Sequence, residues 1–266
     1  MGTNAKGVLT VNIIDAHIHP FEKTEQRSGR YGEQITDKNV FRSDLERAGI
    51  THCCGSVIVR NDGTDWEVIR QLNDTALRLR DYYEGFYTPG FHIHPNFVRE
   101  SCEEIERMHR QGVRLIGELV PYMMGWKEYA QKEAAPIFEL AQEKEMTVNV
   151  HPTTAEDLEQ FAKMYPRLNI LVAHPRDGED YAENLRRIQR HDNVFLDLSG
   201  TGLFRYGMLR KGLDQVGKDR LIFGTDYPIC NPGMYVEAVL FENLSDEELE
   251  AVFEKNARRL IIGESI

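Results

Sequence analysis

Much that would assign this chain at a glance is missing from it. No run of eighteen apolar residues occurs, so no membrane-spanning helix is expected. Met1–Thr10 has neither a basic start nor an apolar stretch, so no secretory leader is read there. Cysteine is scarce: Cys53, Cys54, Cys102 and Cys230 fit neither a zinc-ribbon nor a CxxC spacing. Free, mostly buried thiols in a reducing cytoplasm are the expectation. No GxSxG nucleophile elbow is present, which argues against serine-hydrolase chemistry. Ser199-Gly200-Thr201-Gly202 is too short and wrongly placed for a phosphate loop. Positive charge is also short. Lys and Arg number 32 against 43 Asp and Glu, a formal net charge of −11 that disfavours nucleic acid as a main partner.

What is present is an ordinary globular composition, 41% hydrophobic and 28% charged over 266 residues. β-Branched runs alternate with stretches of helical periodicity. The strand runs are Val11–His17, Cys53–Val59, Gly85–His92, Val113–Leu119, Met146–His151, Ile170–His174, Val194–Leu198 and Leu221–Asp226. Between and after them, helices are expected over 39–48, 65–79, 97–109, 127–143, 155–164, 181–189, 206–216, 232–241 and 246–260, with Thr153 or Thr154 capping the fifth. Cys53 and Cys54, adjacent on a strand, should face opposite sides. Eight strand–helix units predict a single (β/α)8 TIM barrel over residues 1–266, with a doubly wound open sheet as the alternative. No linker or low-complexity segment divides it. The polar loop from Phe21 to Asp37 is long enough to be functional and should lie over the C-terminal mouth.

The ionisable residues fall at strand ends. The segments are Asp15-Ala16-His17-Ile18-His19-Pro20, Gly117-Glu118, Val150-His151-Pro152, Ala173-His174-Pro175 and Thr225-Asp226-Tyr227-Pro228. In a barrel all these ends meet at one face. His17 and His19, two apart on a strand, can offer both imidazoles to one cation. His151 and Asp226 would complete a site of nitrogen and oxygen donors. Zinc fits such a set first, with Mn2+, Fe2+ or Co2+ also compatible, as one ion or two. Asp197 is placed to orient a ligating histidine.

Taken in order, DAHIHP, VNVHPT, LVAHP, FLDLSG, FGTDYP and NARRL resemble the amidohydrolase superfamily, in its branch of compact amidohydrolase-related barrels that includes decarboxylases and lactonases. The resemblance runs from Asp15 to Leu260. It implies His17, His19, His151 and Asp226 as metal ligands, Asp226 also as the proton shuttle, and His174 as a catalytic histidine or a ligand of a second metal. Binuclear members often carry a modified lysine on the fourth strand. This chain has Glu118 there, in a segment similar to that of TatD-like nucleases, where the glutamate bridges two metals. Pairing with an arginine or binding substrate are the other roles open to Glu118.

Around the same mouth, His92 and His94, Arg176, Tyr122 and Trp126 are read as candidate substrate contacts, against plain packing or solvation for each. The leading expectation is a metal-dependent hydrolase that activates water against a small amide, lactone or ester. The alternatives are a metal-dependent, non-oxidative decarboxylase of a small aromatic or enol acid and a TatD-like phosphoester hydrolase. The partner is a small molecule, and a homo-oligomer is compatible with the sequence.

Overall fold

The computed structural model describes residues 11–29 and 31–263; the reading of Met1–Thr10 lies outside them. Eight strands form one sheet in sequence order: β1 Ile14–Ile18, β2 His52–Gly55, β3 Tyr87–Phe91, β4 Leu115–Leu119, β5 Thr147–Val150, β6 Asn169–Val172, β7 Val194–Asp197 and β8 Leu221–Ile222. Every adjacent pair is parallel. β1 closes on the segment after β8 through Ala16 N to Phe223 O (2.9 Å), Asp226 N to His17 O (2.8 Å) and His19 N to Tyr227 O (2.7 Å). This is the (β/α)8 barrel expected from the alternation of patterns.

The helices are α1 Lys38–Arg47, α2 Trp66–Tyr83, α3 Val98–Arg110, α4 Pro121–Met124, α5 Ala135–Glu143, α6 Ala155–Met164, α7 Gly178–Arg190, α8 Met208–Val216, α9 Pro232–Phe241 and α10 Asp246–Glu250. Thr154 caps α6 by accepting from Asp157 N at 3.1 Å. One expected helix is corrected. The span 127–143 is helical only from a short turn at Lys132–Ala134 onward, with α5 starting at Ala135 and Pro136 in its first turn, where a missing N–H costs nothing. The short α4, also opened by a proline, has no periodicity to announce it. The last helix continues past α10 through two wider, π-type stretches, Ala251–Lys255 and Arg258–Ile262.

Two apolar layers hold the barrel. The larger lies between sheet and helices. The smaller joins Ile14, Ala16, Cys54, Leu115, Leu171, Phe195 and Ile222 to Ala257, Leu260 and Ile261. It draws on six strands and the closing helix, so it fills the inside of the barrel at its N-terminal end. Cys53 belongs to the outer layer and Cys54 to the inner one, as strand geometry requires.

That inner layer fixes which positions point inward. Strict alternation from Ile14 and Ala16 would turn His17 outward, and alternation from Leu115 would do the same to Glu118. Both strands break register where it matters: β1 against β2 between Asp15 and Ile18, and β4 against β5 between Ile116 and Leu119. Such irregularities re-aim side chains next to functional sites. The long loop after β1 packs back through Phe21 on Phe41 (centroids 5.8 Å apart), and Phe41 meets Tyr227 of the β8 loop at 4.7 Å.

Candidate metal centre

Six residues from the ends of five strands converge at the C-terminal mouth, and none is surface-exposed. His17 and His19 are each 2% exposed, Glu118 5%, Asp226 7% and His174 8%. His151, just beyond β5, is half-buried beside them.

Glu118 lies between two groups of donors. Its Oε2 is 3.4 Å from Nε2 of both His17 and His19. Those two nitrogens are 3.2 Å apart, and Asp226 Oδ1 is 3.7 Å from the first and 3.4 Å from the second. Its other oxygen, Oε1, is 2.9 Å from His151 Nδ1 and 3.4 Å from His174 Nε2. Donors about 2.0–2.2 Å from one ion in a tetrahedron stand roughly 3.3–3.6 Å from one another. The separations at His17, His19, Glu118 and Asp226 suit that spacing. The donors thus divide as His17, His19 and Asp226 on one oxygen of Glu118, and His151 with His174 on the other. The sequence reading had put His151 with the first group.

The outer nitrogens of these rings are anchored, which leaves the inner ones free to ligate. His17 Nδ1–H donates to Asp197 Oδ2 at 2.5 Å, and Asn149 Nδ2 holds the same carboxylate oxygen at 3.0 Å. His19 Nδ1–H donates to the Ser56 carbonyl at 3.1 Å. Ser199 Oγ stands 3.0 Å from His17 Nδ1 and 3.2 Å from His174 Nδ1. Asp197 was legible in the sequence. Asn149, Ser199 and the Ser56 carbonyl were not, because neither a single short polar residue nor a backbone carbonyl carries a periodic signal. Asp15 fastens the two ligand-bearing strands together: its carboxyl accepts from Thr225 Oγ1 (2.5 Å), Thr225 N (3.0 Å) and His17 N (3.1 Å).

Two glycines make room. A Cβ on Gly200, whose φ is +67°, would stand 2.2 Å from His174 Nδ1, and one on Gly224 would stand 2.6 Å from Asp197 Oδ1. No other residue leaves that space.

The electrostatics call for positive charge. Burial alone would pull His17 down, yet the Asp197 and Glu118 carboxylates outweigh it and hold the ring well above the ordinary histidine range. His19 is pushed up to about 9, against burial, by Asp226 and Glu118. His174 is raised by Glu118 in the same way. Glu118, despite burial, is held well below the usual carboxylate range by His17, His151 and His174. Burial pushes Asp15 up to about 7. A set of imidazoles and carboxylates this compact takes either protons or a divalent cation as counter-charge, and the donor types suit zinc, manganese, iron or cobalt.

The other candidate contacts fall differently. His94 has both ring nitrogens engaged, Nε2 by the Met124 carbonyl (2.7 Å) and Nδ1 by Asn96 N (3.1 Å). Buried His92 donates from Nε2 to the Val57 carbonyl (2.9 Å), and burial lowers it to about 4. Trp126 is buried edge-on to Tyr129, their centroids 5.1 Å apart. All three are buried. Tyr122 is different: it is exposed at the mouth, edge-on to His151 at 5.3 Å, with the Arg60 guanidinium 5.6 Å over its ring. Arg176 is half-buried two residues past His174.

A parallel barrel with buried histidines and carboxylates at its C-terminal mouth defines the class of metal-centred (β/α)8 proteins. Within that class the chain belongs to the amidohydrolase family, whose profile matches residues 14–261. No curated protein sequence matches it significantly. Among solved structures it resembles 5-carboxyvanillate decarboxylase of Novosphingobium aromaticivorans with bound manganese and a nitrobenzoic acid, at 17% identity and TM-score 0.74, over 94% of this chain and 97% of that one. It resembles 2,6-dihydroxybenzoate decarboxylase from Rhizobium at 16% identity and TM-score 0.74, over 94% and 98%. A dihydroxybenzoic acid decarboxylase from Polaromonas, with manganese and the inhibitor 2-nitroresorcinol, matches at 17% identity and TM-score 0.66, over 94% and 96%.

Proposed function

We propose that the protein is a metal-dependent, non-oxidative decarboxylase of a small aromatic or enol carboxylic acid. This places the alternative of the sequence reading ahead of the hydrolase. One observation carries it: the charged cluster is buried, and inside it His174 Nε2 stands 3.4 Å from Glu118, whose charge raises the ring's affinity for a proton against the effect of burial. A carboxylate moved out of water is better placed to lose CO2, and the carbon it leaves needs a proton donor. The manganese decarboxylases of the same fold add weight.

His17, His19, Asp226 and one oxygen of Glu118 would hold one divalent cation, which leaves His174 Nε2, beside the other oxygen of Glu118, free to carry a proton. When bound, such a cation supplies a Lewis acid for the substrate's oxygens. The chain's residues do the rest. Asp226 takes the proton of the substrate hydroxyl. The carbon–carboxyl bond breaks, CO2 leaves, and its electron pair stays on the ring or enol carbon. His174 delivers the Nε2 proton to that carbon and is reprotonated from Asp226. Tyr122 stands at the mouth against His151, where an entering aromatic acid would meet its ring.

A second reading is favoured by the split contacts of Glu118. A carboxylate shared between two cations suits water activation, hence hydrolysis of a lactone, amide or ester, or of a phosphoester as in TatD-like enzymes. The test is product analysis with manganese- and zinc-loaded protein on hydroxybenzoates, enol acids, lactones, amides and phosphoesters. CO2 release that disappears in His174→Asn, with metal content retained, is the expected result. Turnover of a lactone, amide or phosphoester without CO2 from any acid would replace this reading with the second.

A further inference from the structure

Beside the metal centre lies a cavity that the proposed chemistry does not use. Its volume is about 140 Å³, and Thr153, Ala155, Arg176, Asp180, Glu183 and Arg187 contribute to its lining. It opens between α6 and α7, directly behind the His151 and His174 loops. Two features of its arginines stand out.

Arg187 is only 2% exposed, yet among the described residues it has no carboxylate at hydrogen-bonding distance. Its Nη1 donates to Asn184 Oδ1 (2.9 Å) and its Nη2 to the Ala155 carbonyl (3.4 Å), while Glu183 stands off at 3.9 Å. Its Nε is buried with no hydrogen-bond partner among the described residues. A guanidinium stays charged in proteins, and burying it without a close anion is costly. Glu183 does not meet that need, because Arg186 (2.9 Å) and Arg190 (2.7 Å) already hold its two oxygens. Arg176 is the second feature. It is held in a left-handed backbone conformation, φ +60°, with its N–H on the Thr201 carbonyl at 2.8 Å. That conformation is strained for a residue with a Cβ. Its guanidinium makes no ion pair or hydrogen bond among the described residues. Asp180, the remaining acid, is exposed in the first turn of α7, where the helix dipole favours it.

We propose that this cavity is an oxyanion subsite, with Arg176 and Arg187 as its two cationic contacts. Two sources share the required chemistry: a second acidic group on the substrate, or a free anion such as phosphate. The first rests on the reading of the centre as one for acidic substrates; binding measured without turnover keeps the two separable.

The experiment is calorimetric titration of the metal-loaded full chain and its Arg176→Gln variant with benzoate, terephthalate, the longer phenylenediacetate and inorganic phosphate. Two charge-assisted contacts should make at least one diacid bind about tenfold or more tighter than benzoate. Arg176→Gln should remove that advantage and leave benzoate unchanged. Arg176-dependent phosphate binding with no diacid advantage would also support the subsite and assign it to a free anion. If neither the diacids nor phosphate distinguishes the variant from the parent, the proposal is wrong, even if CO2 release is confirmed.

Discussion

At the floor of the barrel, Ile14, Ala16, Leu115, Leu171, Phe195 and Ile222 pack under Leu260 and Ile261. At the mouth, the same strands or the residues just beyond them carry His17, Glu118, His174, Asp197 and Asp226, equally buried. The floor satisfies itself: apolar groups leave water and need no further partner. The mouth does not, since it gathers carboxylates and imidazoles out of water, and such a set calls for a counter-charge. Stability should therefore reside at one end and ligand dependence at the other.

The sharpest way to break that comparison is Glu118→Gln, which keeps the shape and removes the shared charge. Turnover should fall by about two to three orders of magnitude, as when a key electrostatic group is lost. Metal per chain, read by elemental analysis, should fall with it, while the circular dichroism spectrum stays unchanged. Retained metal and turnover would show that Glu118 only packs.

Phe195→Ala is the mirror experiment at the floor. It should cost about 3–5 kcal/mol in denaturant unfolding, with metal content and KM of the folded fraction unaltered. A changed metal content would mean that the ends are not separable.

Asp197→Asn tests the boundary between them. Orienting carboxylates behind a metal-ligating histidine are worth about 10–100-fold in affinity. Metal titration should register a weakening in that range, with little change in unfolding midpoint.

The smallest expected effect is on pH. In the fold His19 keeps its proton up to about 9, against an ordinary value of 6.5. Its stabilising contribution in chelated protein is then complete below about 6.5 and is lost as pH rises through about 9. The melting temperature of the metal-free protein should decline over that window. Metal-loaded protein, whose imidazoles are neutral ligands, should decline less. Parallel curves would count against a proton-for-cation exchange at His19.

Which residues meet at the mouth was legible because strand ends of a parallel barrel share one face. His17, His19, Glu118, His151, His174 and Asp226 each stand at or just beyond such an end, and a reader of the chain alone can gather them. The division of labour among them was not legible. Assigning His151 to Oε1 of Glu118, and His19 to Oε2, depends on how far each strand is rotated about the barrel. His92 and His94 form the same HxH pattern as His17 and His19, yet they point to the carbonyls of Val57 and Met124. Sequence spacing cannot tell the two pairs apart. The broken helix before α5 was missed for a related reason: helical periodicity continues through residues whose backbone is held elsewhere, Tyr129 N and Ala130 N by the Asp157 carboxylate.

By itself the amino-acid order determined the eight-fold alternation, the barrel that follows from it, and the convergence of ionisable groups at one rim, because all three depend on local periodicity and the direction of parallel strands. The tertiary structure alone decided which side each group faces. The register breaks in β1 and β4 turn His17 and Glu118 inward, and side-chain phase at a bulge is set by neighbouring strands rather than by the residues that carry it.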